Sequence, residues 1–273
     1  MASSHEQQEV VATREAFART RCTAWRLHCG DLRRPRQSLG ERQVLRAPAS
    51  GEGEPGRVFG ARIAIDGDAR AVCRASPVGA NVAGMQRILL VLDLDETLVF
   101  ADERPLARAP DLDLPPYAVY LRPWAREFLR HVAVHFELAV WTSSSAAYAR
   151  ALVPVLFDDP SRLAFVWSRE RCTLQRDLAN DTWVHAKRLA KVKRHGHDLR
   201  RTVVVDDSPE KHLRNYGNLV RVAPFLGDPA DDELPHLAAW LERLHIEPDV
   251  RVVEKRGWRR HVPSPVSFMH AAS

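Results

Sequence analysis

The chain of 273 residues has room for one sizeable domain with extensions, or for two small domains. Its hydrophobic fraction of 45% is ordinary for a globular protein, and no apolar run is long enough to cross a bilayer. The net charge of +5 is uneven, because residues 1–84 carry 13 Arg and 9 acidic residues, whereas residues 85–273 carry 27 basic and 26 acidic residues. This nearly neutral larger part gives little support for nucleic-acid binding.

Residues 1–84 lack the pattern of a folded domain. Arg, Ala, Gly and Pro are scattered there without helical or strand periodicity, and too few apolar residues recur to offset the entropy of ordering. We therefore predict a disordered basic extension. Two alternatives are open: Met85 is the native start of the protein, or the extension is a basic arm that contacts nucleic acid or an acidic partner.

The N-terminus and the cysteines bear on the cellular compartment. The first ten residues lack a basic start followed by an apolar core, so no secretory signal is visible. The chain has four cysteines: Cys22, Cys29, Cys73 and Cys172. Their spacing fits neither a metal site nor a disulfide scaffold, which favours a reducing environment. We therefore expect a cytoplasmic protein without a membrane partner.

The most informative stretch is residues 88–99, with the sequence ILLVLDLDETLV. Its first five residues are all apolar, which predicts a strand that is buried on both faces. Asp93 and Asp95 follow directly, at the end of a strand where open α/β sheets bind ligands. Carboxylates this close repel one another unless a cation lies among them. A Mg²⁺ ion that holds a phosphate would provide this cation; a plain acidic turn is the alternative.

Beyond residue 99, strands and helices alternate. A polar, Pro-rich segment at 100–116 precedes a short strand at 118–121 and a helix at 122–136. Further strands are predicted at 137–141, 164–167, 202–205 and 219–222, with a basic helix or loop-helix at 181–195 and an amphipathic helix at 233–245. Such alternation predicts a parallel sheet with helices on both faces. We place this domain at residues 85–247 and expect a loose, basic tail at 248–273.

Polar groups suited to phosphate chemistry follow three of these strands. They are Asp93 and Asp95, then Thr142 and Ser143, then Asp206 and Asp207. Chemistry at phosphorus needs a nucleophile, a proton donor, groups that hold the phosphoryl oxygens, and a cation. One carboxylate of the first pair can attack while the other protonates the leaving oxygen and then activates water. A lysine, either Lys187 or Lys191, adds positive charge.

The order of these motifs, DLDET, strand-Thr-Ser, Lys and VVVDDSP, resembles the haloacid dehalogenase superfamily of phosphotransferases. More narrowly, YLRPWAREFL, WTSSS and VVVDDSPEKHLRNYGNLVRV are similar to the FCP/SCP-type phosphatases, which act on the C-terminal domain of RNA polymerase II, and to their bacterial NIF-type relatives. The resemblance covers about residues 87–260. It implies an α/β fold with a three-layer, Rossmann-like parallel sheet of haloacid dehalogenase type, and a phosphatase that uses Mg²⁺ and an aspartyl-phosphate.

The resemblance also implies individual roles. Asp93 would be the nucleophile and Asp95 the general acid/base, and both would bind Mg²⁺ together with Asp207, Asp95 through its backbone carbonyl. Asp207 lies where some members of the family carry Asn, which makes the site more acidic.

The remaining implied roles concern the phosphoryl group. Thr142 would bind its oxygens, and Asp206 would orient the lysine or a bound water. From its place after the same strand, Ser143 can also bind these oxygens through its hydroxyl or backbone donor. Lys187 lies in the family's K-x-L pattern and would stabilise the phosphoryl charge. The segment that follows it is longer than in the eukaryotic small phosphatases, so Lys191 is kept as the alternative.

The gaps between the motifs bear on the substrate. About 20 residues separate the first acidic turn from Arg122, and about 45 separate Thr142 from Lys187, too few for a large cap domain over the site. An uncapped site can admit a phosphate on a protein surface. We predict a protein serine/threonine phosphatase. A small-molecule or nucleotide-end phosphatase and a non-catalytic phosphate-binding module are the alternatives.

Overall fold

The computed structural model describes residues 87–178 and 181–262. The predicted N-terminal extension lies outside the described residues, as does the end of the predicted tail. The strands of the described part are β1 (Ile88–Leu92), β2 (Val99–Asp102), β3 (Leu112–Leu114), β4 (Tyr117–Leu121), β5 (Phe136–Trp141), β6 (Val166–Trp167), β7 (Thr173–Asp177), β8 (Thr182–Ala186), β9 (Thr202–Asp206) and β10 (Leu219–Arg221). The α-helices are α1 (Ala125–His135), α2 (Ala146–Leu156), α3 (Ala190–Arg194) and α4 (Glu233–Leu244).

Five of the strands form a parallel sheet in the spatial order β10-β9-β1-β5-β6. The central strand β1 lies between β5 and β9, with Leu90 opposite Leu138 on one side and Val203 on the other. All five residues of β1 are buried, as its uninterrupted apolar sequence predicts. The predicted α/β fold with a central parallel sheet is confirmed.

Alternate residues of β1 enter two different cores. Leu90 and Leu92 belong to the larger core, which also contains the apolar faces of α1, α2 and α4. Leu89 and Val91 belong to the smaller core on the opposite face, with Leu189 and Val192 at the start of α3. Because successive side chains of a strand point to opposite faces, a strand that is apolar throughout requires cover on both sides. The result is the predicted three-layer arrangement.

The predicted strand at 118–121 exists but belongs to a second sheet. It is part of β4, which pairs antiparallel with β2 and β3 to form a three-stranded sheet in the order β2-β4-β3. The strands β2 and β3 were not predicted, because each is short and the Pro-rich, polar segment between them lacks a clear alternation. This small sheet is the whole insertion between the first acidic turn and α1.

The prediction of a helix or loop-helix at 181–195 is wrong for its first half. Residues Thr182–Ala186 form β8, which pairs with β7 in an antiparallel hairpin, and only Ala190–Arg194 are helical. Trp183 is exposed whereas Val184 is buried, the alternation of a strand with one covered face. Lys187 therefore follows a strand instead of lying inside a helix.

The described part of the predicted tail packs against the domain. Trp258 is buried, and its indole nitrogen Nε1 donates to the carbonyl of Arg221 at 2.8 Å. The backbone nitrogen of Val250 donates to the carbonyl of Arg200 at 2.9 Å. These two apolar residues attach residues 248–262 to the sheet and to α4, so this stretch is not a loose tail.

Candidate active site

The strands β1, β5 and β9 end at the same edge of the parallel sheet, where the predicted site residues meet. Asp93 and Asp95 follow β1, Thr142 follows β5, and Asp206 is the last residue of β9. The backbone nitrogen of Asp93 donates to the carbonyl of Val205 at 3.0 Å, which fixes the first acidic turn against β9. Parallel pairing thus converts three distant sequence motifs into one cluster.

Asp93 lies at the centre of the cluster and is 1% exposed. Its oxygen Oδ1 accepts a hydrogen bond from the backbone nitrogen of Leu94 at 2.8 Å. Its other oxygen, Oδ2, contacts two ammonium groups, Nζ of Lys187 at 2.9 Å and Nζ of Lys211 at 3.1 Å. Burial raises the pKa of Asp93 and the charge of Asp206 raises it further, against the two lysines. The carboxylate is therefore held in place by cations.

Asp95 has different neighbours. Its Oδ1 accepts a hydrogen bond from the phenol of Tyr148 at 2.6 Å. Its Oδ2 accepts from the hydroxyls of Ser144 at 2.6 Å and Thr142 at 3.3 Å. Burial raises the pKa of Tyr148 well above its ordinary value and Asp95 raises it further, so the phenol stays protonated and donates. Three hydroxyl groups thus hold the Asp95 carboxyl group.

Thr142 and Ser143 occupy the turn after β5. The hydroxyl of Thr142 accepts a hydrogen bond from the backbone nitrogen of Ser144 at 2.9 Å and donates to Asp95, so it is already engaged. The hydroxyl of Ser143 is buried and has no hydrogen-bond partner among the described residues. The carbonyl of Ser143 accepts from Nε of Arg169 at 2.8 Å.

The two candidate lysines lie in different places. Lys187 is 1% exposed and bridges Asp93 and Asp206, with Nζ 2.6 Å from Oδ2 of Asp206. Burial alone would lower the pKa of Lys187, but Asp206 and Asp93 raise it above its ordinary value. Nζ of Lys191 donates instead to the backbone carbonyls of Arg171 and Cys172, at 2.6 and 3.3 Å. Of these two lysines, Lys187 is the one that contacts the acids.

Asp206 is surrounded by donors. Its Oδ2 accepts from Lys187 and lies 2.9 Å from Nε2 of His212, and its Oδ1 accepts from the backbone nitrogen of Ser208 at 2.9 Å. Burial alone would raise the pKa of Asp206, but Lys187, Lys211 and His212 hold it well below its ordinary value. This carboxylate is therefore ionised and anchors the lysines.

Asp207 is buried too, but fewer positive groups act on it than on Asp206. Its oxygens accept hydrogen bonds from the hydroxyls of Ser208 at 2.8 Å and Thr97 at 3.5 Å. Burial and, after it, the charge of Asp206 raise its pKa to about 8, although Lys211 acts to lower it. The neighbouring acids Asp206 and Asp207, at and just after the end of β9, therefore have opposite pKa shifts.

Three side chains of the described residues could hold a metal ion. Asp93, Asp206 and Asp207 each offer a carboxylate oxygen, and these oxygens lie within 4.8 Å of one another. Oxygen donors alone suit a hard divalent cation such as Mg²⁺, and the raised pKa of Asp207 shows that its ionised form lacks the positive charge that a cation would supply. The residues present therefore fit such an ion. The ligand predicted at Asp95 is its backbone carbonyl, and its side chain contacts the hydroxyls.

Four residues that contact the acids were not predicted from the sequence: Ser144, Tyr148, Lys211 and His212. Lys211 and His212 lie four and five residues after Asp207, so their nearness to the acids was a usable signal. Tyr148 lies one turn into α2, after the N-cap Ser145, and nothing in its apolar spacing separates it from an ordinary core residue.

An acid cluster lies at the strand ends of the parallel α/β sheet, and a buried lysine bridges two of the acids. Such a set of residues is typical of an enzyme that transfers phosphoryl groups. Comparison with known proteins specifies the class. A family model described as NLI interacting factor-like phosphatase matches residues 88–251. The chain belongs to this family.

Named relatives agree with this assignment. CTD nuclear envelope phosphatase 1B of Danio rerio is 31% identical over 202 residues, which are 68% of this chain and 79% of the relative. Carboxy-terminal domain RNA polymerase II polypeptide A small phosphatase 2 of Mus musculus is 33% identical over 171 residues, 60% of each chain. A solved structure of Fcp1, an essential RNA polymerase II CTD phosphatase, is similar with a TM-score of 0.45 and 19% identity, over 58% of this chain and 62% of that one.

Family membership confirms the predicted class of enzyme, a phosphoric monoester hydrolase of the protein serine/threonine phosphatase type. The resemblance to FCP/SCP-type and NIF-type phosphatases is confirmed as well. The family also implies a divalent cation, for which the acid cluster offers ligands.

The expected cytoplasmic location is wrong. Relatives from Danio rerio, Xenopus laevis and Xenopus tropicalis are CTD nuclear envelope phosphatases, which contradicts a purely cytoplasmic assignment. The cysteines could not reveal this, because cytosol and nucleus are both reducing. Within residues 87–178 and 181–262, the helices are too short or too polar to cross a membrane.

Proposed function

We propose that this phosphatase requires Mg²⁺, forms an aspartyl-phosphate on Asp93, and acts on phosphoserine or phosphothreonine in proteins. The observation that carries the proposal is the environment of Asp93. Its carboxylate is buried, held by Lys187 and Lys211 at 2.9 and 3.1 Å, and lies beside two further acids that can share a cation with it. A carboxylate that is fixed in this way, beside two ammonium groups that favour its charged form, is prepared for nucleophilic attack.

In the first step, a carboxylate oxygen of Asp93 attacks phosphorus while the bond from phosphorus to the ester oxygen breaks. Asp95 donates its proton to the leaving oxygen, which departs as the serine or threonine hydroxyl. In the second step, Asp95 takes a proton from a water molecule whose oxygen attacks the same phosphorus. The bond to Asp93 then breaks, and phosphate leaves.

The hydroxyl neighbours of Asp95 support its proposed role. Tyr148, Ser144 and Thr142 fix the position of its carboxyl group without adding a full positive charge. No ion pair to Asp95 is seen among the described residues, so proton transfer at this carboxyl group breaks none.

The other predicted residues would bind the phosphoryl group and the cation. Lys187, whose ammonium group lies against Asp93, would neutralise the phosphoryl oxygens, and Ser143 would donate a hydrogen bond to them. Thr142 would do so when its hydroxyl turns from Asp95 to the phosphoryl group. The cation would be held by Asp93, Asp207 and the backbone carbonyl of Asp95, with Asp206 in support. When bound, Mg²⁺ would neutralise negative charge on the phosphoryl oxygens.

A protein substrate is supported by the small insertion beside the site. The segment between the first acidic turn and α1 forms only the three-stranded sheet β2-β4-β3. Enzymes that act on small phosphorylated metabolites generally benefit from a lid that excludes water, whereas a phosphorylated side chain of a protein needs an open approach.

The test is phosphate release by the full chain from phosphoserine and phosphothreonine peptides and from small phosphorylated metabolites, with Mg²⁺ and with a chelator. Asp93→Asn is the matched control, because it keeps the size of the side chain and removes its charge. We expect turnover of peptides that requires both Mg²⁺ and Asp93. A preference for metabolites would overturn the substrate, and full activity of Asp93→Asn would overturn the mechanism.

A further inference from the structure

A second lysine enters the acid cluster from an unexpected place. Lys211 lies on the short 3₁₀ helix Pro209–His212, which begins two residues after Asp207. Its Nζ lies 3.1 Å from Oδ2 of Asp93 and 3.6 Å from Oδ1 of Asp206. The side chain is 16% exposed, so the ammonium group points inward to the acids while a small part still faces solvent.

The positions of the two lysines are linked through the backbone. The backbone nitrogen of Lys187 donates to the carbonyl of Lys211 at 2.9 Å. This bond joins the end of β8 to the 3₁₀ helix and sets the spacing of the two side chains. Both ammonium groups therefore reach the same oxygen of Asp93 from separate elements, and neither is free to move far from it.

The two lysines serve different sides of the cluster. Lys187 pairs closely with Oδ2 of Asp206, at 2.6 Å, whereas Lys211 faces Oδ1 of the same carboxylate, at 3.6 Å. Asp93, Asp206 and Asp207 are also the residues whose oxygens could hold a divalent cation. The ammonium group of Lys211 and a bound divalent cation would thus compete for the negative charge of the same three carboxylates.

A charge count shows the consequence. When all three acids are ionised, they bring three negative charges against two positive charges from the lysines, so one negative charge remains. With Lys187 alone, the same acids would attract a divalent cation more strongly and would repel a phosphate dianion more strongly. At separations of 3 to 4 Å inside a protein, one unit charge changes ion binding by a large factor.

We propose that Lys211 sets the balance between cation and phosphate in this site: it weakens the binding of the divalent cation and strengthens the binding of the phosphoryl group. The inference rests on the proposed function, because it takes the acid cluster as the place where both ions bind. It makes Lys211 a residue that tunes the site through charge.

The experiment measures two dissociation constants by isothermal titration calorimetry on the full chain. Mg²⁺ is titrated alone, and inorganic phosphate is then titrated at saturating Mg²⁺. For Lys211→Met, we expect the Kd for Mg²⁺ to fall about tenfold and the Kd for phosphate to rise about tenfold, since each pK unit of interaction is a factor of ten.

Two matched variants separate charge from other effects. Lys193→Met removes an exposed lysine of α3, and both of its dissociation constants should stay within about twofold of those of the parent chain. Lys211→Arg keeps the charge, so both constants should stay within about threefold. If Lys211→Met fails to fold by circular dichroism, Lys211→Gln is measured in its place with the same expected signs.

The dissociation constants for Mg²⁺ and for phosphate are expected to change in opposite directions, which separates a charge effect from a structural one. A lysine that only supports the fold would weaken both ions when it is replaced, and equal losses would overturn the inference. Unchanged constants in the Lys211 variant would also overturn it. If the parent chain binds neither Mg²⁺ nor phosphate, the proposed function fails instead, so the two failures are distinguishable.

Discussion

Asp93 and Asp95 are two residues apart on one turn, yet their surroundings differ in kind. Asp93 contacts the ammonium groups of Lys187 and Lys211, whereas Asp95 contacts hydroxyls, among them that of Tyr148. Ammonium groups favour the charged form of a carboxylate, which suits attack on phosphorus. Hydroxyls fix a carboxyl group in either protonation state, which suits proton transfer. Under the proposed mechanism, this contrast lets one sequence motif supply two chemical roles.

The largest expected effect separates the two acids directly. Asp93→Asn should lower turnover by about 10⁴-fold or more, and Asp95→Asn by about 10²- to 10³-fold, because loss of a nucleophile costs more than loss of a proton carrier. With p-nitrophenyl phosphate, whose leaving group needs no proton, Asp95→Asn should accumulate the aspartyl-phosphate. Intact-mass measurement after acid quenching detects it. Phosphorylation of the Asp93→Asn protein would erase the distinction.

The ammonium groups around Asp93 should contribute more to stability than the hydroxyls around Asp95. Lys187→Met leaves Asp93 and Asp206 buried with fewer cations, so we expect the free energy of unfolding to fall by about 3 kcal/mol. Urea denaturation followed by circular dichroism measures the change. The exposed Lys193 provides the control, and its replacement by Met should change stability by less than about 0.5 kcal/mol. Similar losses in both variants would show that Lys187 is not anchored by the acids.

The hydroxyl side should show a smaller effect, mainly on rate. Tyr148→Phe removes the phenol oxygen that donates to Asp95 and retains the buried ring, so kcat should fall about tenfold while KM stays nearly constant. The loss of one hydrogen bond should lower the free energy of unfolding by about 1 to 2 kcal/mol. Steady-state kinetics on a phosphopeptide tests this. A higher KM with unchanged kcat would instead place Tyr148 in substrate binding.

The smallest effect is expected at the rejected lysine. Lys191 donates to the backbone carbonyls of Arg171 and Cys172 and has no contact with the acids in the described structure. Lys191→Met should therefore keep turnover within about twofold and cost about 1 kcal/mol of stability through the lost hydrogen bonds. The same phosphate-release assay gives the result, and a loss comparable to that of Lys187→Met would reverse the assignment.

Much of the fold could be predicted because buried parallel strands have a strong local signature. The strand β1 is apolar throughout, and β5 and β9 are nearly so, which requires helices on both faces. The strands β2, β3 and β7 were missed, because strands that are partly exposed and short differ little from loops in composition. The acids at the ends of β1 and β9 were predictable, since parallel strands must bring those ends together.

The sequence by itself determined the parallel sheet, the edge that carries the chemistry, and the acids that face one another there. Each of these follows from local patterns: apolar runs for the strands, and polar residues directly after them. Only the tertiary structure decided which groups stand beside each acid. Lys187 instead of Lys191, Lys211 at Asp93, and Tyr148 at Asp95 all depend on how a hairpin, a 3₁₀ helix and α2 pack around the sheet. Contacts between distant segments leave no periodic trace in a single sequence, and these contacts set the charge of each carboxylate.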